Sequence, residues 1–203
     1  MRPETLQDYC NTVRYLRQQF AEEIKIPLGL VSEYYSALLP QLLPFLQDYG
    51  IEYLLLPQHF IENEIRRHYS GFPTADESTL KRYCAQSAEA MQTGLFTYFA
   101  HPDIISFQGN KRIYLQSLRL LCREAKSCNV PLEIHLYGLW NRRYCSDRHF
   151  CEMAAEEGCR VILSSDAHAP DHLLKLESEE KARTMVWELG LELLEAVPLH
   201  PIC

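Results

Sequence analysis

The sequence predicts an α/β protein built on a parallel sheet covered by helices, and three observations predict it. Short, nearly continuous apolar runs alternate with longer stretches of three-to-four apolar spacing. The runs are apolar throughout instead of alternating in polarity, as strands buried on both faces are. No internal repeat, low-complexity tract or Pro/Gly/Ser linker divides the 203 residues, so one domain is expected over 1–203. Periodicity alone leaves an open doubly wound sheet and most of a barrel as alternatives.

Residues 4–22 carry Leu6, Tyr9, Val13, Leu16 and Phe20, the spacing of an amphipathic helix. The short apolar "IKIPLGLV" (24–31) follows, then a Leu-rich stretch over 36–49 in which Pro40 and Pro44 argue against one uninterrupted helix. "IEYLLL" (51–56) reads as a buried strand. Residues 76–93 read as a helix with Asp76 as its N-cap. "LFTYFA" (95–100) is strand-like, 110–128 is a long amphipathic helix, and "VPLEIHL" (130–136) is another strand. Residues 146–157 read as a helix, with Gly158 suited to the position just past its end. "RVILSS" (160–165) is the next strand, 177–189 the last helix, and "LELLEAV" a weak closing strand.

Hydrophobic residues make up 47% and charged residues 23%, the balance of a water-soluble globular protein. The formal net charge of −7 disfavours a nucleic-acid partner, because neutralising a phosphate backbone requires a basic surface. No run approaches the roughly 20 apolar residues of a membrane span, and the polar start "MRPETLQDYC" lacks a signal-peptide core. No membrane partner is expected. The eight cysteines contain no CxxC, and the closest pairs, Cys122/Cys128 and Cys145/Cys151, are too widely spaced for a zinc knuckle. Reduced thiols in a cytoplasmic protein are the expectation.

In parallel α/β folds, functional groups collect at the carboxyl ends of strands. Four of the eight histidines fall there, on four different strands: His59, His101, His135 and His168. Glu33, Asp103 and Asp166 fall at the same ends. Each alone has an ordinary structural reading, such as a capped turn for Asp166. Together they have the layout of a metal site, since imidazole and carboxylate are the ligands that borderline and hard divalent cations take.

With these residues in hand, the chain resembles the polymerase and histidinol phosphatase (PHP) family, in its stand-alone histidinol-phosphatase branch. "LGLVSEYY" is similar to the branch's G-x-E-x-E-Y segment, "LLLPQHF" to its G-Q-H-F and "YFAHPD" to its A-H-P-D. "LEIHLYGLWNRRY" resembles its E-I-N-x-x-G-[IL]-R loop and "VILSSDAHAP" its final S-D-A-H-x-P. The resemblance implies a distorted (β/α)7 TIM-like barrel and a cluster of up to three divalent metals, commonly zinc, manganese or iron. It implies hydrolysis of a phosphate monoester on a small phosphorylated metabolite. His59, His101, Asp166 and His168 would then be metal ligands, with Glu33 and His135 as possible additional ones. Arg142 or Arg143 would hold the substrate phosphate, a guanidinium fork matching its oxygens.

The departures are as informative. The family's opening H-x-H strand and its later S-D-H segment have no counterpart, so about the first two strands of the barrel are expected to be absent. Where the family places a bridging glutamate, between Gly29 and Glu33, stands Val31, which has no lone pair to offer. His135 replaces the family's Asn and Cys145 its Pro. Two readings follow: a phosphomonoesterase impaired by an incomplete metal cluster, or a catalytically weak or inactive relative kept for binding or assembly. Unpaired ladder edges also raise the expectation of a homodimer.

Overall fold

The computed structural model describes residues 3–141 and 146–202. Seven α-helices and six strands alternate among these residues: α1 Pro3–Gln19, β1 Gly29–Val31, α2 Leu39–Asp48, β2 Tyr53–Leu56, α3 Glu77–Gln92, β3 Phe96–Phe99, α4 Lys111–Ser127, β4 Leu132–His135, α5 Leu136–Asn141, α6 Arg148–Glu156, β5 Arg160–Ser164, α7 Leu176–Leu189 and β6 Glu192–Leu194. The six strands form one parallel sheet in chain order, β1 to β6. A doubly wound sheet reverses its order at a switch point, and this one never does. The winding is that of a barrel. Among the described residues the sheet stays unclosed, consistent with an incomplete TIM-like barrel.

Local chemistry sets the element boundaries. Asp76 accepts hydrogen bonds from the Ser78 and Thr79 backbone N–H groups and so caps α3. Asn110 and Asp147 do the same for α4 and α6. Gly158 leaves α6 at φ 68°, in the left-handed region that a Cβ opposes. α2 runs on through Pro44, so the expected break does not occur. Pro40 stands in the first turn, where a backbone N–H has no intrahelical partner in any case. β1 is shorter than the apolar run that suggested it. The helical turn α5 had no periodic signal and continues directly from β4.

Leu54, Leu56, Phe96, Phe99, Leu132, Ile134 and Val161 are buried in the core. Each contributes about 1.5–3 kcal/mol by leaving water. Every residue of β4 is buried, Glu133 and His135 included, so that strand brings two ionisable groups into the interior. The six cysteines among the described residues are free thiols. No helix among the described residues is long and apolar enough to cross a membrane. Arg142 and Arg143 lie outside the described residues.

Candidate functional site

The parallel register brings the strand exits together. Leu56 pairs with Phe99 and His135 with Ser164, so His59, His101, His135 and Asp166 emerge side by side. Their rings form an arc. Ring centroids are 4.7 Å apart for His59 and His101, and 5.2 Å apart for His101 and His135. With His168, these residues line one cavity of about 580 Å³, completed by Tyr69, Gly71, Phe72, Ile104 and Tyr137. Glu33 is not on its wall; it stands behind His59.

Hydrogen bonds assign the imidazole protons. His59 Nδ1 lies 2.8 Å from Glu33 Oε1, and a carboxylate only accepts, so Nδ1 carries the proton. His168 Nδ1 lies 2.7 Å from the Asp166 carbonyl oxygen, with the same consequence. Both rings are left with Nε2 as the nitrogen that can offer a lone pair. A carboxylate or carbonyl behind an imidazole is the usual support of a metal-binding histidine, fixing its tautomer and raising its basicity. Glu33 also accepts from the backbone N–H groups of His59 and Phe60, at 3.1 Å each. It is an outer partner that pins the β2 exit.

The other pair is arranged differently. His135 Nε2 donates to Asp166 Oδ2 at 3.1 Å, leaving its buried Nδ1 without a partner among the described residues. Burial opposes charge on His135, but the Asp166 hydrogen bond and the nearby Glu133, Asp166 and Asp103 carboxylates outweigh it and raise its pKa. Asp166 is correspondingly lowered, first by that hydrogen bond. His101 is held neutral: burial, then the neighbouring His59 and His135, bring its pKa down to about 3. Its Nδ1 is also buried and unpartnered.

Two buried carboxylates frame the cluster from behind. Glu133 accepts from the His101 backbone N–H at 2.6 Å, and burial pushes its pKa up to about 7. Asp103, raised by burial to about 6, accepts from the Ser146 and Asp147 N–H groups at 3.1 and 2.8 Å. It thereby ties the β3 exit to the start of α6.

Val31 is 58% exposed and brings no donor from β1. Among the described residues, no three His, Cys, Asp or Glu side chains stand together closely enough to hold a metal ion. In kind the donors suit a divalent cation, with polarised Nε2 atoms at His59 and His168 and orphaned buried nitrogens at His101 and His135. They fall short in convergence. Sequence reasoning missed Tyr69, Phe72, Tyr137 and His172. The last had a signal, standing four residues beyond His168.

Two solved structures share this architecture. A histidinol phosphate phosphatase from Lactococcus lactis, crystallised with zinc, L-histidinol and phosphate, superposes with a TM-score of 0.69 at 19% identity, over 93% of this chain and 76% of its own. A protein from Listeria monocytogenes described as a candidate histidinol phosphatase gives 0.64 at 15% identity, over 88% of this chain and 77% of its own.

The likeness establishes the fold. No family model matches the sequence, and no curated protein does. The histidinol-phosphatase fold is therefore recognisable in the chain's backbone where overall sequence similarity is thin.

Proposed function

We propose that the chain is a divalent-metal-dependent phosphomonoesterase of histidinol-phosphatase lineage, with a thinned metal centre and slow turnover. The observation that carries this reading is the paired tautomer assignment at His59 and His168. Each commits Nδ1–H to an acceptor and keeps Nε2 for a ligand, and both rings line the same cavity. His59, His101, Asp166 and His168 would hold the cation only after drawing closer than they stand, with His135 as a further donor once its bond to Asp166 opens. Such a cation, when bound, neutralises charge on the phosphoryl oxygens and activates water.

The chain's own groups do the rest. Glu33 keeps His59 in the binding tautomer. Glu133 holds the His101 backbone, and Tyr69 and Phe72 line the cavity with aromatic surface. Arg142 or Arg143 would seat the phosphate of a small phosphorylated metabolite. A net charge of −7 favours neither nucleic acid nor another polyanion as substrate.

Purified protein analysed for bound metal and assayed with histidinol phosphate and an aryl phosphate tests the reading. Expected are zinc or manganese at no more than one per chain and slow hydrolysis, with both lost in His59→Ala and Asp166→Ala. The lack of any three converging donors among the described residues favours a second reading, a binding protein without turnover. Metal-free protein with no hydrolysis after reconstitution would establish that second reading in place of the first.

A further inference from the structure

Beyond Tyr137 lies a second cavity of about 290 Å³, with Tyr137, Trp140, His172, Lys175, Glu179 and Arg183 on its wall. Tyr137 lines both cavities, so they are neighbours across a single ring. Aromatic rings gather where the two cavities meet. The centroids of Tyr137 and Trp140 lie 5.1 and 5.0 Å from that of His172, and Tyr137 lies 5.5 Å from His168.

The charges are unevenly matched. Arg183 is held by Glu179 at 2.9 Å, with Glu195 at 3.8 Å, so that cation and the cavity's one carboxylate are committed to each other. Lys175 makes no ion pair among the described residues. Its Nζ rests 4.5 Å from the centre of the Trp140 ring. His172 adds a donor: its Nδ1 accepts the His168 backbone N–H at 3.2 Å, so the neutral ring carries its proton on Nε2. An uncompensated ammonium, an imidazole N–H and flat aromatic walls suit a second oxyanion on a compact or planar scaffold.

We infer that this cavity receives a second anionic group, carboxylate or phosphoryl, of a substrate whose phosphomonoester occupies the larger cavity. The inference rests on the phosphatase reading for the first anion and adds a substrate class to it: phosphomonoesters with a second oxyanion at the far end. Esters bearing an ammonium there meet like charge at Lys175 and are disfavoured.

The test is a series of aryl phosphates differing only in the para group. The 203-residue chain is titrated by calorimetry and tryptophan fluorescence, with and without zinc, using inorganic phosphate, phenyl phosphate, 4-carboxyphenyl phosphate, 1,4-phenylene bisphosphate and 4-(aminomethyl)phenyl phosphate, with benzoate as the phosphate-free control. A Trp187→Phe background makes Trp140 fluorescence a local reporter, since Trp187 is 82% exposed.

A para oxyanion should tighten binding about tenfold over phenyl phosphate, and Lys175→Gln should erase that gain while leaving phenyl phosphate unchanged. The carboxylate and bisphosphate arms show which oxyanion is preferred. Phenyl phosphate binding with no para gain, or a gain that survives Lys175→Gln, overturns the inference and leaves the phosphatase reading intact. If phosphate and phenyl phosphate fail to bind while benzoate still quenches Trp140 through Lys175, the phosphatase reading falls and the anion pocket stands. Silence in every arm overturns both.

Discussion

The two ends of the sheet handle backbone strain in opposite ways. At the amino ends, the left-handed turns that feed β2, β3, β5 and β6 are made by Gly50, Gly94, Gly158 and Gly190, with φ between 66° and 68°, and the turn that feeds β4 by Asn129 at 58°, the side chain that tolerates this region best. At the carboxyl ends, left-handed conformations are forced on residues with side chains: Gln58 at 42°, His101 at 32°, Ser146 at 62° and Asp166 at 44°. Each costs about 1 kcal/mol or more relative to glycine. The amino end is built for stability. The carboxyl end tolerates strain because left-handed turns there carry imidazole and carboxylate groups at the exits of β2, β3 and β5, and buried polar groups hold the turns in place.

The largest way to break this contrast is to remove one such support. Asp103 is fully buried and accepts two backbone N–H groups. Asp103→Ala leaves both donors without a partner and should lower stability by about 3 kcal/mol. Asp103→Asn, which keeps an acceptor, should recover about half of that. Denaturant midpoints measured at one pH decide the matter. A loss under about 1 kcal/mol for the alanine variant would mean that the turn holds itself.

Glu133 gives a pH-dependent version. Burial raises its folded pKa to about 7 from an ordinary 4.5. A carboxyl raised on folding contributes stability that is present below its ordinary value and lost as pH rises through the folded one. In metal-free protein the window is therefore about pH 4.5 to 7. His101, depressed to about 3, works in the opposite sense and is lost on acidification, so a bare pH profile mixes the two. The difference between Glu133→Gln and the parent isolates the first. Relative to the parent, the variant should gain up to about 3 kcal/mol between pH 4.5 and 8. A pH-independent difference would show that the Glu133 carboxyl ionises at its ordinary value.

Support of the binding tautomer is the next effect in size. Glu33→Gln exchanges a carboxylate behind His59 for an amide, which still fills the space. Metal affinity measured by competition with a chelator should fall about 10- to 100-fold, and metal-free stability by about 1 kcal/mol, because the amide NH2 faces a backbone N–H that a carboxylate oxygen accepted. Equal affinities would reduce Glu33 to a fastener of the β2 exit.

How far the sequence could be read differs between the same two ends. Helices with side-chain caps and strands of apolar residues were legible, because Asp76, Asn110 and Gly158 act within a turn of themselves. The strand-exit residues His59, His101, His135 and Asp166 were legible too, since a parallel sheet fixes where its strands point. Barrel winding in place of a doubly wound sheet was not in the periodicity, because strand order depends on where each connection crosses. Glu33 could be located but not given its role, which depends on a contact with His59 across 26 positions. Tyr69 and Tyr137 reach the site, and His172 and Lys175 the neighbouring cavity, from loops and helical turns. Their approach is set by how those segments fold over the strand ends, which no spacing records.

The smallest effect is the cleanest probe of the amino end. A Cβ added at Gly94 or Gly190 would meet nothing within 4 Å, so only the left-handed backbone opposes it. Gly94→Ala and Gly190→Ala should each cost about 1 kcal/mol. They should leave the denaturant slope unchanged, along with metal affinity and any hydrolysis. Asp166→Gly is their mirror image. It relieves the same backbone strain but removes the carboxylate that accepts from buried His135, so metal affinity should collapse while metal-free stability falls by about 1 kcal/mol, the unpaired donor outweighing the relieved strain. If the alanine variants lose nothing, φ is not what selects glycine at these turns. Strain would then be no distinction between the two ends, and the polar cluster alone would separate them.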